Sequence, residues 1–206
     1  MLEGVTWFRQ SSVRIRRGGV EIHIDPWGIP EESNADYILL THPHFDNFSE
    51  DDIARARGRE TTLVAPASMR EQLEDVDHLM RPGDMLHLDG IEILAVPAYN
   101  ERKKFHPPEN EWLGYVFTLD GITYYHSGDT DFLEAMSQIR CDVAFLPCEG
   151  HYTMGPEDAA RAATACQARI VVPVHWGGGT EARKNAELVK ELFEGEVAIL
   201  EQGLPG

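Results

Sequence analysis

Residues that bind metal ions follow apolar runs at three places in this chain, and this arrangement limits the folds that it can adopt. The first run is followed by His42, His44 and Asp46. Later runs are followed by Asp129 and by His175. Imidazole and carboxylate groups suit zinc, iron or manganese. A single histidine at a strand end is usually structural, so only the combination predicts a metal site, and the fold must bring these strand ends together.

The order of apolar runs and turn signals predicts two β-sheets between helices. Hairpin turns are predicted at residues 18–19, 89–90 and 120–121. Helices are predicted over residues 49–57, 66–74, 156–167 and 180–193. Hairpin-rich segments that are each followed by alternating strands and helices are typical of an α/β sandwich with two sheets. Because no linker or repeat interrupts the chain, we expect a single domain over residues 1–206.

Charge and composition exclude several classes of partner. The chain has 18 Lys and Arg against 35 Asp and Glu, a formal charge of −17, so we expect no nucleic-acid partner. No apolar stretch has the length of a signal peptide or a membrane span, so we expect no membrane association. The 3 cysteines follow no Cys-x-x-Cys spacing. We interpret them as reduced and mostly buried, which predicts a cytoplasmic protein.

The spacing within the first cluster favours a shared ion. His42 and His44 are two residues apart, which in an extended segment places both rings on one side. Asp46 continues that side, where its carboxylate can bind a second ion or hold a water molecule. Gly128 frees the backbone before Asp129. Residues 177–179, three glycines after His175 and Trp176, are expected to form a flexible wall of the pocket.

Several motifs occur in the order typical of one protein family. They lie at residues 25–27, 41–47, 96–100, 124–130, 153–160 and 172–175. With these motifs the chain resembles the metallo-β-lactamase superfamily, whose first motif is His-x-His-x-Asp-His. Within that superfamily it is most similar to the ascorbate-6-phosphate-lactonase-like branch of metal-dependent hydrolases. The resemblance implies an αββα four-layer sandwich with metal ions at one edge, between the two sheets.

The resemblance also implies roles for the donor residues. His42 and His44 would bind a first ion, and Asp46 a second. Asp129 would bridge both ions, and His175 would complete the second site. We therefore expect one or two ions of Zn²⁺, with Mn²⁺ or Fe²⁺ as the alternatives.

Two positions depart from the family pattern. Asn47 stands where the family has its second-metal histidine. An amide oxygen is a weaker donor than imidazole for zinc, so a site that uses Asn47 should be weak, or specific for a harder ion such as Mn²⁺. Asn100 stands where the third histidine of the first site is expected. His106 is the nearest replacement, and a solvent-exposed loop histidine is the alternative interpretation.

These features predict a metal-dependent hydrolase that acts with metal-activated hydroxide on an ester, lactone or phosphoester of a small substrate. Asp46 would orient the hydroxide and take its proton. His126 either donates a proton in the pocket or is a buried, hydrogen-bonded residue. The basic residues Arg102, Lys103 and Lys104 suggest an anionic substrate such as a sugar phosphate, and a solvated loop is the alternative interpretation.

Two other functions remain open at this point. The first is a nuclease or phosphodiesterase of the same fold, against which the negative charge argues. The second is a non-catalytic metal-binding or sensor module, which the changes at Asn47 and Asn100 would explain. The substrate, the native metal and the oligomeric state do not follow from the sequence.

Overall fold

Two β-sheets pack face to face in the computed structural model, which describes residues 1–176, 180–204 and 206. The first sheet has 6 strands, in the order β1 (Val5–Trp7), β2 (Val13–Arg17), β3 (Val20–Ile24), β4 (Ala35–Leu39), β5 (Arg57–Pro66) and β6 (His78–Met80). The second sheet has 7 strands, which also neighbour one another in chain order: β7 (Met85–Leu88), β8 (Ile91–Pro97), β9 (Leu113–Leu119), β10 (Ile122–His126), β11 (Val143–Pro147), β12 (Ile170–Val174) and β13 (Glu196–Val197). The helices are α1 (Glu50–Ala56), α2 (Pro156–Ala165) and α3 (Thr180–Leu192).

Each sheet begins with antiparallel strands and continues with parallel ones. In the first sheet β1, β2 and β3 are antiparallel, and β3 to β6 are parallel. In the second sheet β7 to β10 are antiparallel, and β10 to β13 are parallel. The strands β1, β3 and β4 therefore run in one direction, as do β8, β10 and β12 in the other sheet. The three predicted hairpin turns connect β2 to β3, β7 to β8 and β9 to β10, and are confirmed.

Strand β4 shows how the alternation of side chains builds the layers. Leu39 belongs to the apolar cluster between the two sheets. Its neighbours Ile38 and Leu40 point to the opposite face, where they pack with Ile53 and Ala56 of α1. On the other side of the molecule α2 contacts β11, and α3 contacts β12 and β13. The predicted order of layers, αββα, is therefore confirmed.

Helix α1 begins where capping chemistry predicts. Ser49 is its N-cap, and the Ser49 hydroxyl accepts a hydrogen bond from the backbone N–H of Asp52. Glu50, Asp51 and Asp52 lie in the first turn, where the helix dipole favours negative charge. The predictions of α2 and α3 are also confirmed, to within two residues at their ends.

The helix predicted over residues 66–74 is wrong. The structure has only a short 3₁₀ turn there, at Ala67–Met69. Strands β5 and β6 are parallel, so the chain has to return along the sheet between them. Asp77 already binds β5 before β6 starts, through its N–H to the oxygen of Leu63 and its carboxylate to the N–H of Leu63. These contacts tie the end of the crossover to β5, so tertiary contacts rather than local helix propensity set the conformation of this segment.

The three cysteines are unpaired and buried, as predicted. None of the described helices combines the length and the apolar character needed to cross a bilayer.

Candidate metal centre

The donor residues meet where strands of both sheets end. Strand β4 leads into His42 and His44, and β8 leads into the loop that contains His106. Strand β10 leads through a turn to Asp129, and β12 leads directly to His175. Donors up to 133 positions apart in the chain therefore lie in one place, as the distances below show.

Three imidazoles form the centre of the cluster. The metal-binding nitrogens of His42, His44 and His106 all lie within 4.8 Å of one another. Trp112, immediately before β9, packs against all three rings, with its ring centroid 4.9 Å from that of His44 and 5.1 Å from that of His42. His106 is 1% exposed, so the structure excludes the alternative of a solvent-exposed loop histidine.

A hydrogen bond behind His42 fixes which of its ring nitrogens faces the cluster. The Thr41 hydroxyl donates to Asp25 Oδ2 at 2.6 Å and therefore accepts from His42 Nδ1–H at 2.9 Å. His42 Nε2 then carries a lone pair, and it is buried with no hydrogen-bond partner among the residues that the structure describes. Burial lowers the pKa of His42 to about 3, so the ring is neutral, as a metal ligand must be.

Asn100 fixes which ring nitrogen of His106 faces the cluster, as Thr41 does for His42. Its side-chain oxygen accepts from the backbone N–H of His106 at 3.0 Å and from His106 Nδ1–H at 3.1 Å. Its amide nitrogen donates to Asp131 Oδ1 at 3.1 Å. Within the described part of the chain, His106 Nε2 is buried without a hydrogen-bond partner. Burial holds the pKa of His106 below its usual value. Two buried lone pairs without partners, beside a third imidazole, fit a bound metal ion.

One carboxylate oxygen faces His42, His106 and His175. Asp129 Oδ2 lies 3.7 Å from His42 Nε2, 3.6 Å from His106 Nε2 and 3.1 Å from His175 Nε2. Its other oxygen, Oδ1, accepts a hydrogen bond from the Ser11 hydroxyl at 2.8 Å. Burial would raise the pKa of Asp129, but the nearby His175 and His42 hold it well below its usual range. An ionised carboxylate in this position can bridge two cations.

Asp46 and His175 form the second half of the cluster. Asp46 Oδ2 lies 3.5 Å from His175 Nε2. Burial acts to raise the pKa of Asp46, but the hydrogen bond with His175 outweighs it and the pKa is lowered. Burial acts to lower the pKa of His175, yet the negative charges of Asp129 and Asp46 raise it well above its usual value. The carboxylates therefore favour positive charge at this point, as a cation site requires.

Asn47 lies next to Asp25, the carboxylate that also holds Thr41. Its amide nitrogen donates to Asp25 Oδ2 at 3.0 Å. Its oxygen, Oδ1, is buried and has no hydrogen-bond partner among the described residues. Asp25 accepts three hydrogen bonds, from Asn47 and from the N–H and hydroxyl of Thr41. It therefore supports the cluster from behind.

Of the two sequence-based interpretations of His126, the structure agrees with the second, a buried, hydrogen-bonded residue. Its Nε2 donates to the backbone oxygen of Ser11 at 2.8 Å, and its Nδ1 accepts from the N–H of Gly128 at 3.2 Å. Burial lowers the pKa of His126 to about 4. Since both nitrogens bind the backbone, neither is free for a substrate. Through Ser11, His126 supports the residue that holds Asp129.

Sequence reasoning missed Gln10, Ser11 and Trp112. Gln10 Nε2 lies 3.4 Å from Asp46 Oδ2 and 3.5 Å from His175 Nε2. A signal was present, because Gln10 and Ser11 are polar residues in the turn after β1. That strand runs parallel to β4 and ends at the same edge of the sheet, where ligands of such folds bind.

A cavity of about 270 Å³ opens above the cluster. It is lined by His44, Phe45, Asp46, Phe105, His106, Asp129, Tyr152 and His175. Phe45 is 80% exposed, Tyr152 46% and Phe105 38%, so the rim presents three aromatic side chains to solvent. Residues 177–179, predicted to form another wall, lie outside the described residues.

The basic loop residues are not among the described residues that line this pocket. Arg102 and Lys103 line a separate cavity of about 530 Å³. Lys103 Nζ binds Asp131 Oδ1 at 2.8 Å and also donates to the backbone oxygen of Thr153. Lys104 is exposed. Lys103 thus stabilises the loop that carries His106.

Known proteins with similar sequences identify the family of this chain. A sequence model of the beta-lactamase superfamily domain matches residues 4–175. A UPF0173 metal-dependent hydrolase of Thermococcus kodakarensis is 34% identical, over 84% of this chain and 82% of that protein. Another UPF0173 metal-dependent hydrolase, from Anoxybacillus flavithermus, is 31% identical over 97% of each chain.

Solved structures show the same fold. A candidate metal-dependent hydrolase from Parabacteroides distasonis superposes with a TM-score of 0.84 at 28% identity, over 96% of this chain and 92% of that chain. Igni18, a metallo hydrolase of Ignicoccus hospitalis, superposes with a TM-score of 0.78 at 24% identity, over 98% and 96% of the two chains. Together with the family match and the cluster of imidazoles and carboxylates, these similarities show that the chain belongs to the metallo-β-lactamase superfamily, among the UPF0173 metal-dependent hydrolases.

Proposed function

We propose that this protein hydrolyses a small, uncharged ester or lactone with an apolar group, and that it requires one or two divalent ions. One observation carries the proposal: a single pocket has imidazoles and carboxylates at its floor and exposed aromatic rings at its rim. The metal-dependent hydrolases among its relatives support hydrolysis as the type of reaction.

The donors divide into two sets that share one carboxylate. His42, His44 and His106, with Asp129, would hold a first ion. Asp46 and His175, with the same Asp129, would hold a second. Bound divalent ions would supply a water nucleophile of lowered pKa and polarise the carbonyl that it attacks. Zinc suits the set of three imidazoles, and manganese or iron are the alternatives.

Among the proposed metal ligands, Asp46 is placed to act on the nucleophile. Its side chain is 17% exposed and lines the pocket, whereas Asp129 is almost completely buried. Its lowered pKa keeps it ionised at neutral pH, so it accepts a hydrogen bond and orients a water molecule. The same lowered pKa makes it a weak base, and orientation is therefore its main contribution. His126 positions Ser11 and, through it, Asp129.

The pocket favours a neutral substrate over a charged one. Among the described residues that line it, none is a lysine or an arginine. The aromatic rim of Phe45, Phe105 and Tyr152 suits an alkyl or aryl group. A lactone substrate agrees with the ascorbate-6-phosphate-lactonase-like branch in the type of bond cleaved, and membership of that branch stays a prediction. The predicted phosphoester finds less support than an ester or lactone.

A substrate panel combined with elemental analysis tests this proposal. We expect the purified protein to contain a transition metal and to hydrolyse aryl esters or lactones faster than bis-(p-nitrophenyl) phosphate. His44→Ala and Asp129→Ala should each lower the bound metal and reduce kcat/KM by about 100-fold or more. The matched controls are His87→Ala and Asp89→Ala, which change exposed residues next to the β7–β8 turn. A His44→Ala protein that keeps its metal and its activity would contradict the assignment.

The same panel separates the two other functions. Faster cleavage of RNA or phosphodiesters than of esters would favour a nuclease or phosphodiesterase of the same fold. Tight metal binding with no turnover of any substrate would favour a non-catalytic metal-binding or sensor module. We propose a small-molecule substrate as the partner, and a cytoplasmic location stays a prediction.

A further inference from the structure

The second set of donors is short of one neutral ligand. It contains one imidazole, that of His175, beside the carboxylates of Asp46 and Asp129. Asn47 directs its amide nitrogen to Asp25. An asparagine side chain is also shorter than that of histidine, so its oxygen ends nearer the backbone than an imidazole Nε2 would. Asn47 as a ligand stays a prediction, and a neutral donor from another element can complete the set.

The side-chain amide of Gln10 lies at that place. Its Nε2 is 3.4 Å from Asp46 Oδ2 and 3.5 Å from His175 Nε2, and these last two atoms are 3.5 Å apart. Direct hydrogen bonds between nitrogen and oxygen are mostly about 2.9–3.0 Å long. Ligand atoms at about 2.0–2.2 Å from a four-coordinate ion lie roughly 3.3–3.6 Å from one another. The triangle thus has the dimensions of a ligand shell.

The backbone of Gln10 is held in place by the same residues. Gln10 has a φ of 43°, in the left-handed region that non-glycine residues rarely adopt. Its backbone oxygen accepts from the N–H of His175 at 2.8 Å and from the indole N–H of Trp7 at 2.7 Å. Trp7 stacks on Trp176, with 4.8 Å between ring centroids. Gln10 and His175 are therefore joined through both backbone and side chain, which fixes where the amide lies.

We propose that the Gln10 side-chain amide is a ligand of the second divalent ion, through its oxygen. The oxygen and nitrogen of a glutamine amide occupy equivalent positions, so a half-turn about the last side-chain bond presents Oε1 in place of Nε2. This inference rests on the proposed function only because it requires a metal centre.

A Gln10 ligand would make the second site rich in oxygen donors. With Gln10, Asp46 and Asp129, the second site has three oxygen donors and the single nitrogen of His175. The first site is rich in imidazole nitrogen instead. Because oxygen donors suit harder ions, the second site should prefer Mn²⁺ while the first prefers Zn²⁺.

Metal titration of the whole protein tests the role of Gln10. Wild-type protein, stripped with chelator and loaded with one equivalent of Zn²⁺, is titrated with Mn²⁺ by calorimetry and by the electron paramagnetic resonance signal of free Mn²⁺. Gln10→Met keeps the length of the side chain but removes the hard donor, and should weaken Mn²⁺ binding at least tenfold while one Zn²⁺ per chain is retained. Gln10→Glu should bind Mn²⁺ more tightly than wild type. Gln138→Met, at an exposed glutamine away from the cluster, is the matched control and should leave both ions unchanged.

Asn47→Ser tests whether the amide of Asn47, rather than that of Gln10, binds Mn²⁺. Circular dichroism and thermal unfolding confirm that each variant is folded. If Asn47→Ser weakens Mn²⁺ binding and Gln10→Met does not, the proposal is overturned. Unchanged Mn²⁺ affinity in Gln10→Met, with ester hydrolysis intact in wild type, overturns the role of Gln10 alone. A wild-type protein that binds neither ion and hydrolyses nothing overturns the proposed function as well.

Discussion

At the residue scale, the groups behind the histidines decide what the site can bind. Thr41 fixes the tautomer of His42, and Asn100 fixes that of His106. Each of these residues is in turn held by a buried carboxylate, Asp25 for Thr41 and Asp131 for Asn100. Both ring nitrogens that face the cluster are left with lone pairs, so the site is prepared for a cation by its own hydrogen bonds.

Thr41→Val should weaken metal binding. Valine has nearly the shape of threonine but cannot accept the hydrogen bond from His42 Nδ1–H, so the ring is no longer held in the right tautomer. We expect a loss of about 10- to 100-fold in affinity for the first ion. Competition with a chromophoric chelator measures it. Thr118→Val, at an exposed threonine of β9, is the control, and equal affinities in the two variants would contradict this reasoning.

Phe45→Ala should change substrate preference more than reactivity. The Phe45 ring is 80% exposed at the rim of the pocket, so it has apolar surface to offer a ligand. We expect kcat/KM to fall about tenfold for a hexanoate ester, and little for the acetate, because one ring covers part of a longer acyl chain. Met85→Ala, at an exposed apolar residue of β7, should affect neither ester. An equal fall in kcat/KM for both esters would show that Phe45 does not recognise the acyl chain.

Glu21 should make the protein sensitive to acid. Burial acts to raise the pKa of Glu21, but hydrogen bonds from His23 and Arg16 lower it from 4.5 to about 2. A carboxylate whose pKa is lower in the folded state stabilises the fold above its unfolded pKa, and this stabilisation is lost as the pH falls through the folded value. The free energy of unfolding should therefore fall between pH 4.5 and pH 2 in wild type. Glu21→Gln should flatten this part of the profile in urea titrations, whereas the exposed control Glu71→Gln should leave it unchanged.

At the scale of elements, strand direction brings the donors together. In each sheet the strands that precede donor residues run the same way: β1 and β4 in the first, and β8, β10 and β12 in the second. Gln10, His42, Asp129 and His175 follow shortly after the ends of these strands, and His106 lies in the loop after β8. The antiparallel strands before the parallel ones make this possible. Each antiparallel pair reverses the chain once, so the two reversals from β1 through β2 to β3, and from β8 through β9 to β10, restore the direction.

Close contact between β9 and β10 fixes the position of Asp129. A Cβ atom on Gly114 of β9 would lie 2.7 Å from the backbone oxygens of His126 and Ser127, at the end of β10. Gly114→Ala should push the strands apart just before Asp129, with a loss of about 1–3 kcal/mol in stability and weaker metal binding.

Gly121→Ala separates this crowding from simple backbone strain. Gly121 lies in the turn between the same strands with a φ of 73°. Apart from its two chain neighbours, no described residue has an atom within 4 Å of where its Cβ would be. The Gly121→Ala substitution should lower the free energy of unfolding by about 1 kcal/mol and leave metal affinity unchanged. Urea unfolding and chelator competition on both variants provide the measurements. If Gly121→Ala also weakens metal binding, backbone strain in this region is enough to disturb the metal site without crowding between β9 and β10.

At the scale of the whole molecule, a bound ion would join the two sheets. His42 and His44 belong to the first sheet, whereas His106 and Asp129 belong to the second. An ion that binds the folded chain alone stabilises it by about 2.7 kcal/mol at a free concentration of 100 times its Kd. For a domain of this size we expect chelation to lower Tm by roughly 5–10 °C.

Calorimetric scans with and without chelator measure this shift, and His44→Ala is the control that should show little change. Equal Tm values for wild-type protein in metal and in chelator would contradict an ion that links the sheets.

Much of the fold could be predicted from local patterns. The cap at Ser49, the turns at Gly18–Gly19, and the alternation around Leu39 depend on residues close in sequence, and the structure agrees with them. The helix predicted over residues 66–74 failed because Asp77 makes a contact with Leu63 that no local pattern reveals.

The sequence by itself determined which donors the chain has and that strand ends carry them, since residue chemistry and the period of a strand are local properties. Tertiary structure decided that His106 points inward, that Asn100 and His126 support other residues, and that Gln10 lies beside Asp46 and His175. The direction of a side chain depends on contacts with partners up to 165 positions away, as between Gln10 and His175. Such contacts exist only once both sheets have packed together.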